Sequence, residues 1–264
     1  MSFNNREYKI PSFFTRVISV WYRHIKVYNS SFFSNAFPPF FEPLIFLAGL
    51  GVGMGMYIKE MDGMPYVLFL ASGLIVTSSM YTAAFECTFG TFIRLEFDKV
   101  YDGMIGAPIS VRELVIGEIL FAGTKGFFFA LAVLIIIWIF GIVSTPLSIG
   151  AAFVGFITGL MFATMSMSIT SLVRNINHFN FYLTGVISPM FFFSGVVFPL
   201  TNLPANMAFI AEIIPLTHVV RMARAFCVPE LLNMSLLYDL LYSMIFIMLT
   251  GWFAVKGIER RVIE

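Results

Sequence analysis

Few residues in this sequence are equipped for chemistry, and those few lie among apolar neighbours. Glu42 and Glu86 stand within or at the margin of long apolar runs. A carboxylate at that depth is costly unless it faces water or a partner. Each is therefore a candidate to meet a polar cargo in a cavity, or to reach the interface, or to pair with a cation such as Arg94. Arg221 and Arg224 lie one helical turn apart and could meet anionic headgroups, as interface anchors, or an anionic cargo. Neither pair builds a catalytic set. No lysine follows a glycine, so a GxxxxGKS/T phosphate loop is absent, and GxSxG and HExxH are absent too. His24, His178 and His218 lack metal-ligand spacing, and Cys87 and Cys227 are too few for a disulfide framework. Asp/Glu/His relays of the kind used by proton-driven carriers are missing, as is an inverted repeat of broken helices. The expectation is a chain without a catalytic residue, cofactor or metal of its own.

The elements that must position these residues are membrane helices. Of 264 residues, 59% are apolar and only 12% are Asp, Glu, Lys or Arg. Thirty-two Phe and 16 Met cannot all enter one water-soluble core. A net charge of +1 without a basic run excludes a nucleic-acid binder. A helix needs about 20 apolar residues to cross the hydrocarbon, and six stretches qualify: 36–58, 64–90, 118–141, 147–172, 179–200 and 232–255. Their continuous apolarity, without period-2 alternation, reads as helices and not as a barrel. Of the 16 Lys and Arg, only Lys59, Arg221 and Arg224 fall on one side of this arrangement. The positive-inside rule then makes both termini cytoplasmic. No cleavable signal peptide is expected, and the first span serves as the insertion signal.

Several segments between the spans carry further expectations. Phe14, Val17, Ile18, Trp21, Ile25 and Tyr28 recur at helical spacing opposite Arg16, Ser19, Arg23 and Lys26. This pattern predicts an amphipathic helix over 11–28 lying in the membrane interface, with packing on other protein as the alternative. Gly49 and Gly53, like Gly51 and Gly55, form small-xxx-small pairs that let helices approach closely, either between two copies or within one chain. Pro38, Pro39 and Pro43 should break the entry to this span. In the 95–110 loop, Asp98 to Ile105 should form a short helix ended by Gly106 and Pro108. Ser110 and Glu113 then form a capping box for the next helix. Pro199, Pro204, Pro215 and Pro229 cut the outer segment 200–230 into pieces too short to cross, which suggests two re-entrant helices.

Three stretches carry a family resemblance. Phe97-Asp98-Lys99-Val100-Tyr101-Asp102-Gly103-Met104-Ile105-Gly106-Ala107-Pro108-Ile109-Ser110 resembles the coupling-helix region of ABC-2 type exporter permeases. Phe193-Ser194-Gly195-Val196-Val197-Phe198-Pro199-Leu200, with Asn202-Leu203-Pro204, resembles their fifth span and external turn. Ile214-Pro215-Leu216-Thr217-His218, followed by Arg221 and Arg224-Ala225, continues the match. Within the family the chain is most similar to the lipo-oligosaccharide (nodulation factor) exporter permeases of the NodJ group.

The resemblance implies an all-α integral membrane protein forming one ABC-2 transmembrane domain over 1–264. It would have six spans, the interfacial helix, a cytoplasmic coupling helix and external re-entrant helices. It implies a permease in the bacterial cytoplasmic (inner) membrane that works as a homodimer among membrane lipids. Two copies of a separate ABC ATPase subunit would hold the ATP and Mg. Asp98, Lys99, Tyr101, Asp102, Gly103, Met104 and Pro108 would couple to that ATPase, and Gly49 and Gly53 would line the dimer seam. Glu42, Glu86, Arg221 and Arg224 are the residues available to a cargo pathway. The cargo implied is a lipid-linked saccharide or another amphipathic molecule moved outward. A secondary carrier or channel of another fold is the competing class.

Overall fold

The computed structural model describes residues 11–30, 41, 44–202 and 204–263. Glu42 and Pro43, with Pro38 and Pro39, lie outside the described residues. Among those described, ten helices follow one another: α1 (Phe13–Ser30), α2 (Leu44–Gly55), α3 (Tyr66–Phe97), α4 (Val100–Ile105), α5 (Val111–Ile139), α6 (Pro146–Leu172), α7 (179–193), α8 (Ala205–Ile213), α9 (Pro215–Cys227) and α10 (Ser235–Ile263). A two-stranded hairpin, β1 (Glu60–Met61) and β2 (Met64–Pro65), joins α2 to α3 with Met61 opposite Met64. Its turn places Asp62 at φ 55° and Gly63 at φ 75°, the backbone that an Asp-Gly hairpin turn favours.

Among the described residues, four helices are long and apolar enough to cross a membrane: Tyr66–Phe97, Val111–Ile139, Pro146–Leu172 and Ser235–Val262. They correspond to the expected spans 64–90, 118–141, 147–172 and 232–255. Of the expected first span, the described part is the short apolar helix α2. The expected fifth span, 179–200, is helical only over 179–193. That is about 22 Å at 1.5 Å per residue, short of the roughly 30 Å of hydrocarbon. Its interruption has a local cause: Pro189 offers no N–H to the carbonyl four residues back, and the turn before it opens into a π-helix over Leu183–Ile187. Ser188 Oγ donates to the Leu183 carbonyl instead (3.0 Å). Gly195, at φ 82°, then turns the chain.

Two of the four long helices extend into the 95–110 corner. α3 runs on to Phe97, and α5 begins at Val111 on the Ser110–Glu113 capping box, as its sequence indicates. Between them the short helix α4 ends before Gly106, as the sequence indicates.

The core is α3, α5 and α6, with α1, α9 and α10 around them. α3 is the most buried of the four long helices and α10 the least. α5 and α6 touch at glycine. A Cβ on Gly155 would lie 2.3 Å from that of Ala130, and one on Gly159 would lie 2.9 Å from the Gly123 Cα. Such contact brings backbones together, which dispersion favours in lipid. Ser79 Oγ of α3 donates to the exposed-by-approach carbonyl of Gly126 (2.7 Å). α1 packs on α5 through Val17, Val20 and His24, and Gly117 leaves room for Val20. The stripe Phe14, Ile18 and Tyr22 points away from the protein.

Candidate functional site

The site is built around α4. Lys99 at φ 51° makes the sharp entry to this helix. Asp98, Lys99, Asp102, Gly103 and Pro108 are exposed, Met104 is half-buried, and Tyr101 is buried. The helix thus offers one polar face outward and plants a single aromatic side chain inward. The Tyr101 hydroxyl donates to a Glu118 oxygen on α5. Burial first, and the Glu118 charge second, push the Tyr101 pKa well above its ordinary value, so the phenol keeps its proton for this bond.

Glu118 is the hub of a buried ionic cluster. Its other oxygen accepts from Arg94 and from Thr91 Oγ1 (3.1 Å), both on α3. Arg94 also donates to one oxygen of Glu86 (2.8 Å), and Lys125 Nζ of α5 donates to the other (2.8 Å). Two carboxylates therefore balance two cations, which is the condition under which charges survive away from water. Gly90 makes the pairing possible. A Cβ there would lie 3.2 Å from Glu86 Oε1 and 3.3 Å from an Arg94 nitrogen. π-helical turns at Glu86–Gly90 and Ile93–Phe97 set the register of the two side chains.

α1 is tied to the same corner. Arg16 pairs with Glu113 (2.8 Å) and donates to the Pro108 carbonyl (3.3 Å). Trp21 Nε1 donates to Thr124 Oγ1 (3.0 Å), and His24 stacks on Phe121 with centroids 5.2 Å apart. Burial lowers the His24 pKa, against the raising effect of Glu118.

Sequence comparison gives this geometry its context. Residues 15–227 match the family model described as ABC-2 type transporter. The chain belongs to the ABC-2 type transporter family. Nodulation protein J of Rhizobium meliloti (strain 1021) is 32% identical over 207 residues, which cover 78% of this chain and 79% of that protein. Nodulation protein J of Rhizobium leguminosarum bv. viciae is 33% identical over 207 residues, 78% of this chain and 80% of that protein. The inner membrane transport permease YadH of Escherichia coli (strain K12) is 20% identical over 202 residues, 76% and 78% of the two chains. The protein is thus an integral membrane transport component, a class that is not catalytic by itself and is served by an ATPase on a partner subunit.

In this ABC-2 permease the other residues singled out by sequence divide by surroundings. Among the described residues, Gly49 and Gly53 have no atom within 4 Å of an added Cβ, whereas Gly51 and Gly55 meet Val67 of α3 at 3.8 and 3.7 Å. One glycine pair packs inside the chain, and the other is left open. Glu86 has both oxygens engaged. Arg224 is buried, with Nε donating to Ser72 Oγ (3.2 Å) and Nη2 to the carbonyls of Phe69 (3.2 Å) and Gly195 (3.0 Å). Its guanidinium lies 3.8 Å from the Phe69 ring centroid. Arg221 donates to both oxygens of Glu212 (2.7 and 2.8 Å) and to Asp239 (2.8 Å). Asp239 also meets His218 Nδ1 at 2.7 Å, while His218 Nε2 donates to the Glu212 carbonyl (3.0 Å). Glu42 is outside the described residues.

Sequence reasoning missed Glu118, Glu212, His218 and Asp239 as members of these clusters. For two of them a signal existed. Glu118 opens the expected span 118–141, and Asp239 lies inside 232–255, so each is an acid in an apolar run.

Proposed function

We propose that the permease is half of an ATP-driven exporter in the bacterial cytoplasmic membrane, multi-pass with both termini cytoplasmic. Two copies associate through the open glycine face of α2, and each docks a separate ABC ATPase on the exposed side of α4. ATP and Mg belong to that ATPase. The cargo is an amphipathic molecule such as a lipid-linked saccharide or lipo-oligosaccharide, moved outward. The resemblance to the lipo-oligosaccharide exporter permeases supports this choice.

The observation that carries the coupling role is the bond from Tyr101 to Glu118. α4 is only six residues long, and an element that short holds its place through tertiary contacts rather than through helix propensity. A push on its outer face is relayed by Tyr101 to α5 through Glu118 and to α3 through Arg94. The cluster behaves as a joint because its members cannot separate without stranding a buried charge. A coupling free energy of about 1–3 kcal/mol is typical of such linked sites.

Reconstitution with the cognate ATPase tests this reading. Tyr101→Phe keeps the ring and removes the hydroxyl that Glu118 accepts from. The ATPase should still bind, while transport per ATP hydrolysed falls about tenfold, the equivalent of about 1.4 kcal/mol of lost coupling. Unchanged transport in Tyr101→Phe would remove the relay. Uphill transport by the permease alone in liposomes would favour a secondary carrier.

A further inference from the structure

α10 is 29 residues long, about 43 Å at 1.5 Å per residue. From Leu236 to Val255 its one charged residue is Asp239, which is buried against Arg221 and His218. That stretch is enough to fill a hydrocarbon layer of about 30 Å. The last turns of α10 therefore enter the headgroup zone, and three cations stand there: Lys256, Arg260 and Arg261. They are not equivalent. Arg261 turns inward, donating to the Thr170 carbonyl and to Glu96 (2.7 Å). Lys256 and Arg260 are exposed, one turn apart, and among the described residues neither makes an ion pair. Lys256 Nζ instead stands 4.1 Å from the centroid of Trp252, one turn earlier.

These side chains border a groove of about 450 Å³ between α6 and α10. Its floor is fixed where the helices touch. Thr164 and Thr250 hydroxyls are 2.7 Å apart, Ser168 Oγ donates to the Thr250 carbonyl (2.8 Å), and Gly257 sits directly on Ser171. The rim near the end of α10 is cationic with Ser171 beside it, and the rest is mainly apolar, including Trp252, Phe253 and Leu172, with the Ser168 and Thr250 hydroxyls engaged in the helix contact. A phosphate fits the first part and a hydrocarbon chain the second. Soluble anions fit only the first.

We propose that this groove is a binding site for an anionic phospholipid, with the phosphate at Lys256 and Arg260 and an acyl chain along Trp252 and Phe253. Each Lys or Arg close to an anionic lipid surface contributes about fivefold in affinity. Two unpaired cations thus give a selectivity over zwitterionic lipid of roughly tenfold or more.

Trp252 lies in the groove and reports its occupancy. In a Trp21→Phe/Trp138→Phe protein it is the remaining tryptophan of three. This protein, reconstituted in phosphatidylcholine vesicles with graded brominated phosphatidylglycerol, should show bromine quenching that gives phosphatidylglycerol the roughly tenfold advantage. Adding Lys256→Gln and Arg260→Gln should bring the ratio near one, while Lys26→Gln, on α1, should leave it unchanged. Both groove residues are exposed, so these changes remove no buried contact. A ratio near one before any charge is removed would overturn the proposal. So would an undiminished ratio in the double glutamine variant, or an equal loss with Lys26→Gln. Abolition of the preference by excess soluble glycerol phosphate would reassign the site to a free anion.

Discussion

Two polar clusters hold this permease together, and they are wired differently. The inner one joins Glu86, Arg94, Glu118 and Lys125 and ends, through Tyr101, on a helix whose other face is exposed. The outer one joins Glu212, His218, Arg221 and Asp239 and ties α8, α9 and α10 together, with His218 and Asp239 buried and the Glu212–Arg221 end exposed. The inner cluster pairs two carboxylates with two cations. In the outer one a histidine stands between an acid and a base: His218 Nδ1 lies 2.7 Å from Asp239 and 3.1 Å from Arg221 Nη2. Arg224 adds a bolt from α9 to α3 that uses backbone carbonyls in place of carboxylates. An arginine in an apolar segment is not by that fact a cargo contact. What matters is whether its donors are already spent.

Glu118 is completely buried. Glu118→Ala leaves Arg94 and Lys125 to share Glu86, with one buried charge uncompensated, and should have the largest effect, about 3–5 kcal/mol, measured as a lowered unfolding midpoint in detergent. A loss below about 1 kcal/mol, the size of a surface pair, would show that the inner cluster is not a joint. Arg224→Ala should come next, at about 2–3 kcal/mol, because three buried acceptors lose a charged donor. Its effect should spare ATPase docking, and a loss of docking in a pull-down would erase the division between the inner and outer regions. The smallest effect concerns pH. The folded His24 pKa lies below its ordinary value, so the folded state prefers the neutral ring. Above about pH 6.5, folded and unfolded forms are both neutral and no penalty exists. Below it the unfolded chain binds the proton first, so stability falls on acidification. His24→Phe should flatten that fall in a melting curve series from pH 7 to pH 5, and an unchanged slope would place the titrating group elsewhere.

Much of the architecture could be read from the chain because hydrocarbon leaves few choices. A backbone in lipid must satisfy its own hydrogen bonds, so long apolar runs without charge become helices, and Gly141 and Pro146 mark where one must stop. The Ser110 capping box and the stop at Gly106 were equally local. Depth of packing was not legible. Gly155 and Gly159 let α5 and α6 touch, yet their spacing is no more conspicuous than that of Gly49 and Gly53. The π-turn over Leu183–Ile187 and the turn at Gly195 inside the expected run 179–200 were not legible either.

The residues by themselves therefore specify a helical membrane protein, with a short helix in the 95–110 corner and prolines that divide the segment 200–230 into short helices. Those properties follow from composition and from hydrogen bonds between neighbours in sequence. Only the tertiary structure decided which charges are joined. Tyr101, Glu118, Arg94 and Glu86 come from three helices, and electrostatic pairing depends on distance in space, which no spacing along a single chain reveals.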